Sequence, residues 1–404
     1  MKLKKLAAAC SLAVGTMLGA VAPAQAQISG DVIRIGFITD MAGVYGDIDG
    51  MGGVEAIRMA IAEMGGAING KKIEVLYSEH QNKADLAASK AREWFDTQGL
   101  DMLIGGTNSA TALAMAKVAA EKKKPFLVVG AASSALTNDQ CNPYTVHWAY
   151  DTVALAKGTG GAVVKSGGKT WFFLQADYAF GAALQADTSA VVKAAGGTVV
   201  GTVKHPLSAS DFSSFVLQAQ SSKAQILGMA NAGGDTVNTI KAANEFGVTK
   251  TMKLAGLLVF INDIHALGLK TTQGMYVTDS WYWNQNAETR AWARKFFEKM
   301  KKMPSSLQAG DYSAALQYLK AVKAAGTDDA DKVLAQMRKT PINDVFAKGG
   351  FIRGDGRMVH DMYLLQVKSP DKSTEPWDYY NVAQVIKGEE AWTTKAESKC
   401  ALWK

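Results

Sequence analysis

The strongest constraint on this chain is an alternation that runs twice. Between Val32 and about Asn284, short β-like runs alternate with stretches of helical spacing. Residues 32–38, 72–78, 101–105 and 125–129 read as strands. Between them, apolar residues at 54, 57, 61 and 64 recur at helical intervals, and 83–98 and 109–122 are helical too. The pattern then restarts. Strands are expected at 170–174, 198–204, 225–228, 252–257 and from 274, with helices at 181–195, 212–219 and 235–246. Strands alternating with helices of this size build βαβ units, a parallel sheet with helices on both faces. Two runs predict two α/β lobes, as does the length: 404 residues exceed the ~250–300 at which single cores stop growing.

The remainder differs. Residues 289–300, 307–325 and 330–339 are helical, 351–361 holds a Gly354-Asp355-Gly356 turn, and 362–368 and 379–387 read as paired strands. This mixture is expected to add helices to one lobe and a hairpin to the other, so the chain crosses between lobes more than once and leaves a cleft at the hinge.

Charge and cysteine content depend on the first residues. Lys2, Lys4 and Lys5 precede an apolar stretch and an Ala24-Gln25-Ala26 cleavage site, so residues 1–26 read as a signal peptide cleaved after Ala26. The formal charge of +7 then falls to +4, because the segment carries three Lys and no acid. Cys10 leaves with it. Cys141 and Cys400 remain, and an exported pair is expected to form one disulfide, with two free thiols as the alternative.

Each lobe opens alike. The strand ending at Asp40 is followed by Tyr45-Gly46, and the strand ending near Asp177 by Phe180-Gly181. In parallel α/β sheets ligands sit beyond the C-terminal strand ends. Tyr45 and Phe180 are therefore either facing cleft walls or loop-to-helix packing.

Signals for catalysis are weak. None of the five His lies three or four residues from another, so no local zinc spacing exists. Ser109, Ser133 and Ser134 follow strands but none sits in G-x-S-x-G. Gly167-Gly168-Lys169-Thr170 lacks the first Gly of a phosphate loop and precedes a strand instead of following one. The lysine runs read as solvated helix faces, not as a nucleic-acid patch.

Several segments together carry a resemblance: Arg34-Ile35-Gly36-Phe37 with Val44-Tyr45-Gly46-Asp47, then Ile104 to Ser109, Gly130 to Thr137, Asp177-Tyr178-Ala179-Phe180-Gly181, and Ser208 to Ser213. In this order they resemble the branched-chain amino-acid-type (leucine/isoleucine/valine-binding-like) periplasmic solute-binding proteins of ABC importers. The resemblance implies two doubly wound lobes of the periplasmic-binding-protein type I fold, with a ligand cleft and three hinge crossovers. The expected division is 27–148 with 278–352, 149–277 with 353–390, and a tail from 391 to 404. Carried over by position, Asn108, Ser109, Ala132, Ser133 and Ser134 would surround a solute carboxylate. Tyr45, Tyr178, Phe180, Asn231 and Leu258 would line the cleft, with Trp281 as an aromatic wall.

One departure bears on the solute. Amino-acid-binding members carry a Glu just after the strand at 252–257, facing the solute ammonium. Here Gly256-Leu257-Leu258-Val259-Phe260 offers no acid, and a buried unpaired ammonium is strongly disfavoured. Asp279 or Asp311 would have to replace it by another route. The expected function is therefore an extracytoplasmic receptor that closes on a small carboxylate solute, an aromatic or apolar acid in preference to a branched-chain amino acid. A membrane permease is the expected partner, the chain a monomer in the periplasm, with no cofactor, metal, nucleic acid or catalysis. The alternatives are an exported serine hydrolase and a ligand-sensing partner of a membrane receptor.

Overall fold

The computed structural model describes residues 27–404; the expected signal segment lies outside the described residues. The first sheet contains β1 (Val32–Thr39), β2 (Ala67–Ile68), β3 (Lys71–Glu79), β4 (Met102–Gly105), β5 (Phe126–Val128) and β6 (Thr145–His147), in the order β2-β3-β1-β4-β5-β6. All neighbours are parallel except β2 and β3. The second contains β7 (Thr170–Ala176), β8 (Thr198–His205), β9 (Ile226–Ala230) and β10 (Lys253–Gly256), all parallel, in the order β10-β9-β7-β8. β1 lies between β3 and β4, and β7 between β8 and β9, so that in each sheet later strands flank the opening strand on both sides. That reversal is the switch point of a doubly wound sheet, where a crevice opens beyond the strand ends. The near-continuous apolar run of β1 follows from helices covering both faces.

The late segments form two small antiparallel groups. β11 (Tyr276–Asp279) pairs antiparallel with a later strand of a second small group. That group is formed by β12 (Ile342–Asn343), β13 (Lys348–Ile352), β14 (Met358–Val359), β15 (Met362–Val367) and β16 (Tyr380–Ile386). β11, β15 and β16 make one antiparallel sheet, and β12, β13 and β14 another. The latter continues the first lobe: the His147 N–H donates to Gly356 O at 2.9 Å. The chain therefore passes between lobes after β6, after β11 and after β14. The expected boundaries at 277/278 and 352/353 fall inside paired stretches. Thr278 and Asp279 face Leu364 and Tyr363, while Met358 and Val359 face Ile352 and Phe351.

The helix Ser306–Ala325 runs through the first lobe against the helix Gly50–Glu63, and every residue from Ser306 to Leu319 is buried. Its start is set locally. Ser305 Oγ accepts from Gln308 N, and Gln308 Oε1 accepts from Ser305 N at 2.9 Å. Such a capping box contributes about 1 kcal/mol. Gly326 ends the helix at φ +68°.

Cys141 and Cys400 are bridged, with Cα atoms 5.8 Å apart. The tail thus returns from the second lobe to the first. On the way Lys157 Nζ donates to Trp392 O at 2.8 Å, and Arg353 lies over the Trp403 ring. Among the described residues no helix is long and apolar enough to cross a membrane.

Candidate functional site

The loop after β1 is built by its own polar groups. Asp40 accepts from Gly43 N at 2.6 Å, Tyr45 N at 3.0 Å and Asn82 Nδ2 at 2.7 Å, which turns Tyr45 toward the other lobe. There the Tyr45 and Tyr178 hydroxyls meet at 2.5 Å. Beside them Gly234 N donates to Val44 O at 3.1 Å, and Asn262 Nδ2 donates to Asp47 O at 3.0 Å. Gly233 is required at this approach: its φ is +58°, and a Cβ would stand 2.5 Å from Val44 O. The lobes are closed on each other.

Beneath these contacts lies a narrow cavity of about 10 Å³, room for about one water molecule. Tyr45, Ile48, Thr107, Gly130 and Ala132 wall it from the first lobe, and Tyr150 from the first crossover. Tyr178, Phe180, Ala232, Leu258 and Phe260 wall it from the second. Every one of these residues follows a strand of a parallel sheet or lies in a crossover. Closed to this volume the walls leave no room for a solute, so binding requires them to move apart. No charged side chain is in the lining. Other hollows lie beside the helices Ser306–Ala325 and Ala330–Lys339, at the opposite ends of β7, β9 and β10, and between Ser134 and Asp187.

The polar groups of the first-lobe wall are fixed. Tyr150 OH donates to Gly130 O at 2.8 Å. His147 Nε2 lies 2.7 Å from Ala131 O, so this nitrogen carries the proton, and burial holds the ring neutral. Ser133 N donates to Ser109 Oγ at 3.2 Å. The Ala132 N–H has no acceptor among the described residues. Burial raises the Tyr45 and Tyr178 phenols above their usual range, so the pair is neutral and one hydroxyl donates to the other.

Of the positions singled out in the sequence, Tyr45, Ala132, Tyr178, Phe180 and Leu258 meet at this cavity. Ser109 and Ser133 lie behind its wall. Four others are engaged elsewhere. Asn108 Oδ1 caps the helix Ser109–Lys122, accepting from Ala110 N at 2.8 Å. Ser134 Oγ donates to Asp187, in a helix of the second lobe, at 3.1 Å. Asn231 is enclosed by His205, Thr236 and Thr239. Trp281 is core: its Nε1 donates to Val345 O and its ring meets Trp292 edge-on. Asp279 and Asp311 are both buried and outside the lining. Burial raises Asp279 to about 7, against a hydrogen bond from Ser280 N.

Ile48, Thr107, Gly130, Tyr150, Ala232 and Phe260 were not anticipated. Phe260 stands two positions after Leu258, and Ile48 three after Tyr45, so loop spacing was an available signal for both. The serine-hydrolase alternative finds no support in the geometry. Among the described residues no His hydrogen-bonds Ser109, Ser133 or Ser134.

The chain is similar to proteins of known class along nearly all its length. The profile of the periplasmic binding protein family matches residues 32–374. A crystal structure of a periplasmic binding protein from Burkholderia mallei is 70% identical, with a TM-score of 0.92, and covers 93% of this chain and 100% of that one. A branched-chain amino acid ABC transporter periplasmic ligand-binding protein from Burkholderia xenovorans LB400 is 39% identical, with a TM-score of 0.81, covering 92% and 100%. The Leu/Ile/Val-binding protein homolog 6 of Brucella melitensis is 25% identical over 371 residues, 87% of this chain and 90% of its own length. With two doubly wound lobes closing on a small uncharged-walled cavity, this chain belongs to the periplasmic binding protein family, the substrate-binding components of ABC transporters.

Proposed function

We propose that the protein captures a small solute bearing a carboxylate on an aromatic or apolar body, and presents it in closed form to a membrane permease. The observation that carries this reading is the composition of the cavity wall. Five aromatic rings surround it, no acid is available for an ammonium, and Ala132 N–H is without an acceptor. An α-ammonium there would be buried without a counter-charge. A carboxylate instead finds backbone donors and hydroxyls. A Rhodopseudomonas palustris solute-binding protein of similar fold, 19% identical, was solved in complex with benzoate, which makes benzoate a suitable probe. The proposal includes solute contact at Tyr45, Ala132, Tyr178, Phe180 and Leu258. It also includes a periplasmic monomer of 378 residues after cleavage at Ala26. The hinge would lie at the three crossovers, and closure would be stabilised by contacts made only in the closed state.

The test is a thermal-shift panel of benzoate, 4-hydroxybenzoate, isovalerate, benzamide, leucine and valine. A solute at 100 times its Kd stabilises the fold by about 2.7 kcal/mol. Stabilisation by carboxylic acids is expected. Stabilisation by leucine and valine alone would overturn the solute class.

A further inference from the structure

We propose that Asp49 and Asp311 form a proton-sharing pair wired to the solute cavity through Thr39 and Thr107, so that capture of a carboxylate draws one proton onto Asp49. The inference rests on the carboxylate reading above. Asp49 precedes the helix Gly50–Glu63, and Asp311 lies in the second turn of the helix Ser306–Ala325. Both are fully enclosed, at 1% and 0% exposure. Asp49 Oδ1 and both Asp311 oxygens have no hydrogen-bond partner among the described residues. A Cβ placed on Gly53 would stand 2.7 Å from Asp311 Oδ2 and 2.8 Å from Asp49 Oδ1. The two carboxyls therefore converge over a residue whose missing side chain makes room for them.

The charged and titratable groups around the pair do not neutralise it. Asp40 stands at the end of β1 and the Tyr150 phenol at the first crossover. Among the described residues no Lys, Arg or His forms an ion pair with either carboxyl. Two carboxylates converging in one enclosed site do not both ionise. One proton stays on Asp311, whose carboxyl burial and then the Asp49 charge hold well above the usual range. The second site, Asp49, is raised by burial to about 6, with Asp311 and the Thr39 hydroxyl opposing the rise.

The wire is a chain of hydroxyls. Thr39 Oγ1 lies 2.6 Å from Asp49 Oδ2 and 3.0 Å from Thr107 Oγ1, and Thr107 lines the cavity. Each hydroxyl has one proton to donate. With Asp49 ionised, Thr39 donates to Asp49 and Thr107 donates to Thr39, so Thr107 turns only lone pairs to the solute. With Asp49 protonated the chain reverses: Asp49 donates to Thr39, Thr39 to Thr107, and Thr107 to the solute. A carboxylate accepts hydrogen bonds and has none to donate, so it selects the reversed chain. The proton comes from solvent, one for each solute bound, and no covalent bond changes. Binding thus raises the Asp49 affinity for protons. By linkage, affinity for a carboxylate is flat below about pH 6 and falls as pH rises above it, by up to about tenfold per unit.

The experiment is titration calorimetry of the ligand-free protein with benzoate, ionised throughout about pH 5.5–8.5, in phosphate and in Tris buffers. The two buffers differ in ionisation enthalpy, so their difference counts protons. Uptake approaching one proton near pH 7.5 is expected, with a tenfold weaker Kd at pH 7.5 than at pH 6.5. Asp49→Asn, whose amide donates permanently to Thr39, and Thr39→Val, which cuts the chain, are both expected to abolish the uptake and flatten the pH profile. Benzoate binding without proton uptake by the unmodified protein overturns the relay and leaves the solute class standing. Binding of benzamide with no carboxylate bound overturns the solute class, and the relay with it.

Discussion

The Tyr45–Tyr178 contact makes a quantitative prediction about closure. The two hydroxyls meet at 2.5 Å across the cleft, and Tyr45 is only 2% exposed. In an open form both are hydrated, so their contact affects only the closed, solute-holding state. Tyr178→Phe removes one hydroxyl and leaves Tyr45 OH buried without its partner. An unsatisfied buried polar group costs ~1–3 kcal/mol, more than the ~0.5–1.5 kcal/mol net value of the bond itself. At about 1–2 kcal/mol the solute Kd weakens ~5–30-fold. The double variant Tyr45→Phe/Tyr178→Phe leaves two apolar ring edges in contact and no orphaned group. It is expected to bind within about threefold of the original protein, tighter than Tyr178→Phe alone. Calorimetric Kd values for the four proteins form the double-mutant cycle, and thermal midpoints without solute control for folding. If the double variant loses as much as the two single losses multiplied together, the hydroxyls act independently and the reasoning is refuted.

Other perturbations separate the remaining contributions. Gly233→Val places a Cβ against Val44 O at a left-handed backbone angle, and is expected to weaken solute affinity at least tenfold; unchanged affinity would show that this approach is not needed for closure. Leu258→Glu restores an acid to the cavity wall, and is expected to abolish benzoate binding and admit leucine, read by thermal shift. Removing the Cys141–Cys400 bridge, which spans 259 residues, is expected to cost about 2–5 kcal/mol, so a melting midpoint indifferent to reductant would contradict it. Burial raises the Asp279 carboxyl from about 4 to about 7, so its folded form holds the proton more tightly than its unfolded form, and its ionisation destabilises the fold as pH rises through that window. Asp279→Asn should therefore gain stability relative to the original protein as pH rises from about 4 to about 7, by up to ~1.4 kcal/mol per unit, and gain no more above that, measured by denaturant unfolding.

The elements were legible because their signals are local. Period and strand-like runs identified both sheets and the loops of Tyr45 and Phe180, the family resemblance added Ala132, Tyr178 and Leu258, and all five line the cavity. The side chains that did not reach it have physical reasons. Asn108 and Asn231 are polar residues in loops of the right kind, but nearby donors and acceptors engage them within a few residues or inside one lobe. Trp281 has the surface area of a wall residue, yet Val345 and Trp292 hold it in the core. Tyr150 sits in a crossover with no periodicity at all, and only its hydrogen bond to Gly130 O aims it inward.

The sequence by itself determined that two doubly wound lobes form, which loops end their central strands, and that no acid follows β10. Those properties depend on hydrophobic period and residue identity over a few positions. Only the tertiary structure decided which side chain of each loop faces the cavity. It alone joined Tyr45 to Tyr178 across 133 residues, and brought Asp311 beside Asp49 beneath Thr107. Local spacing carries no information about such pairs. They are set by how two separately folded sheets and a late helix pack, where burial and the need to satisfy each enclosed polar group choose the partners.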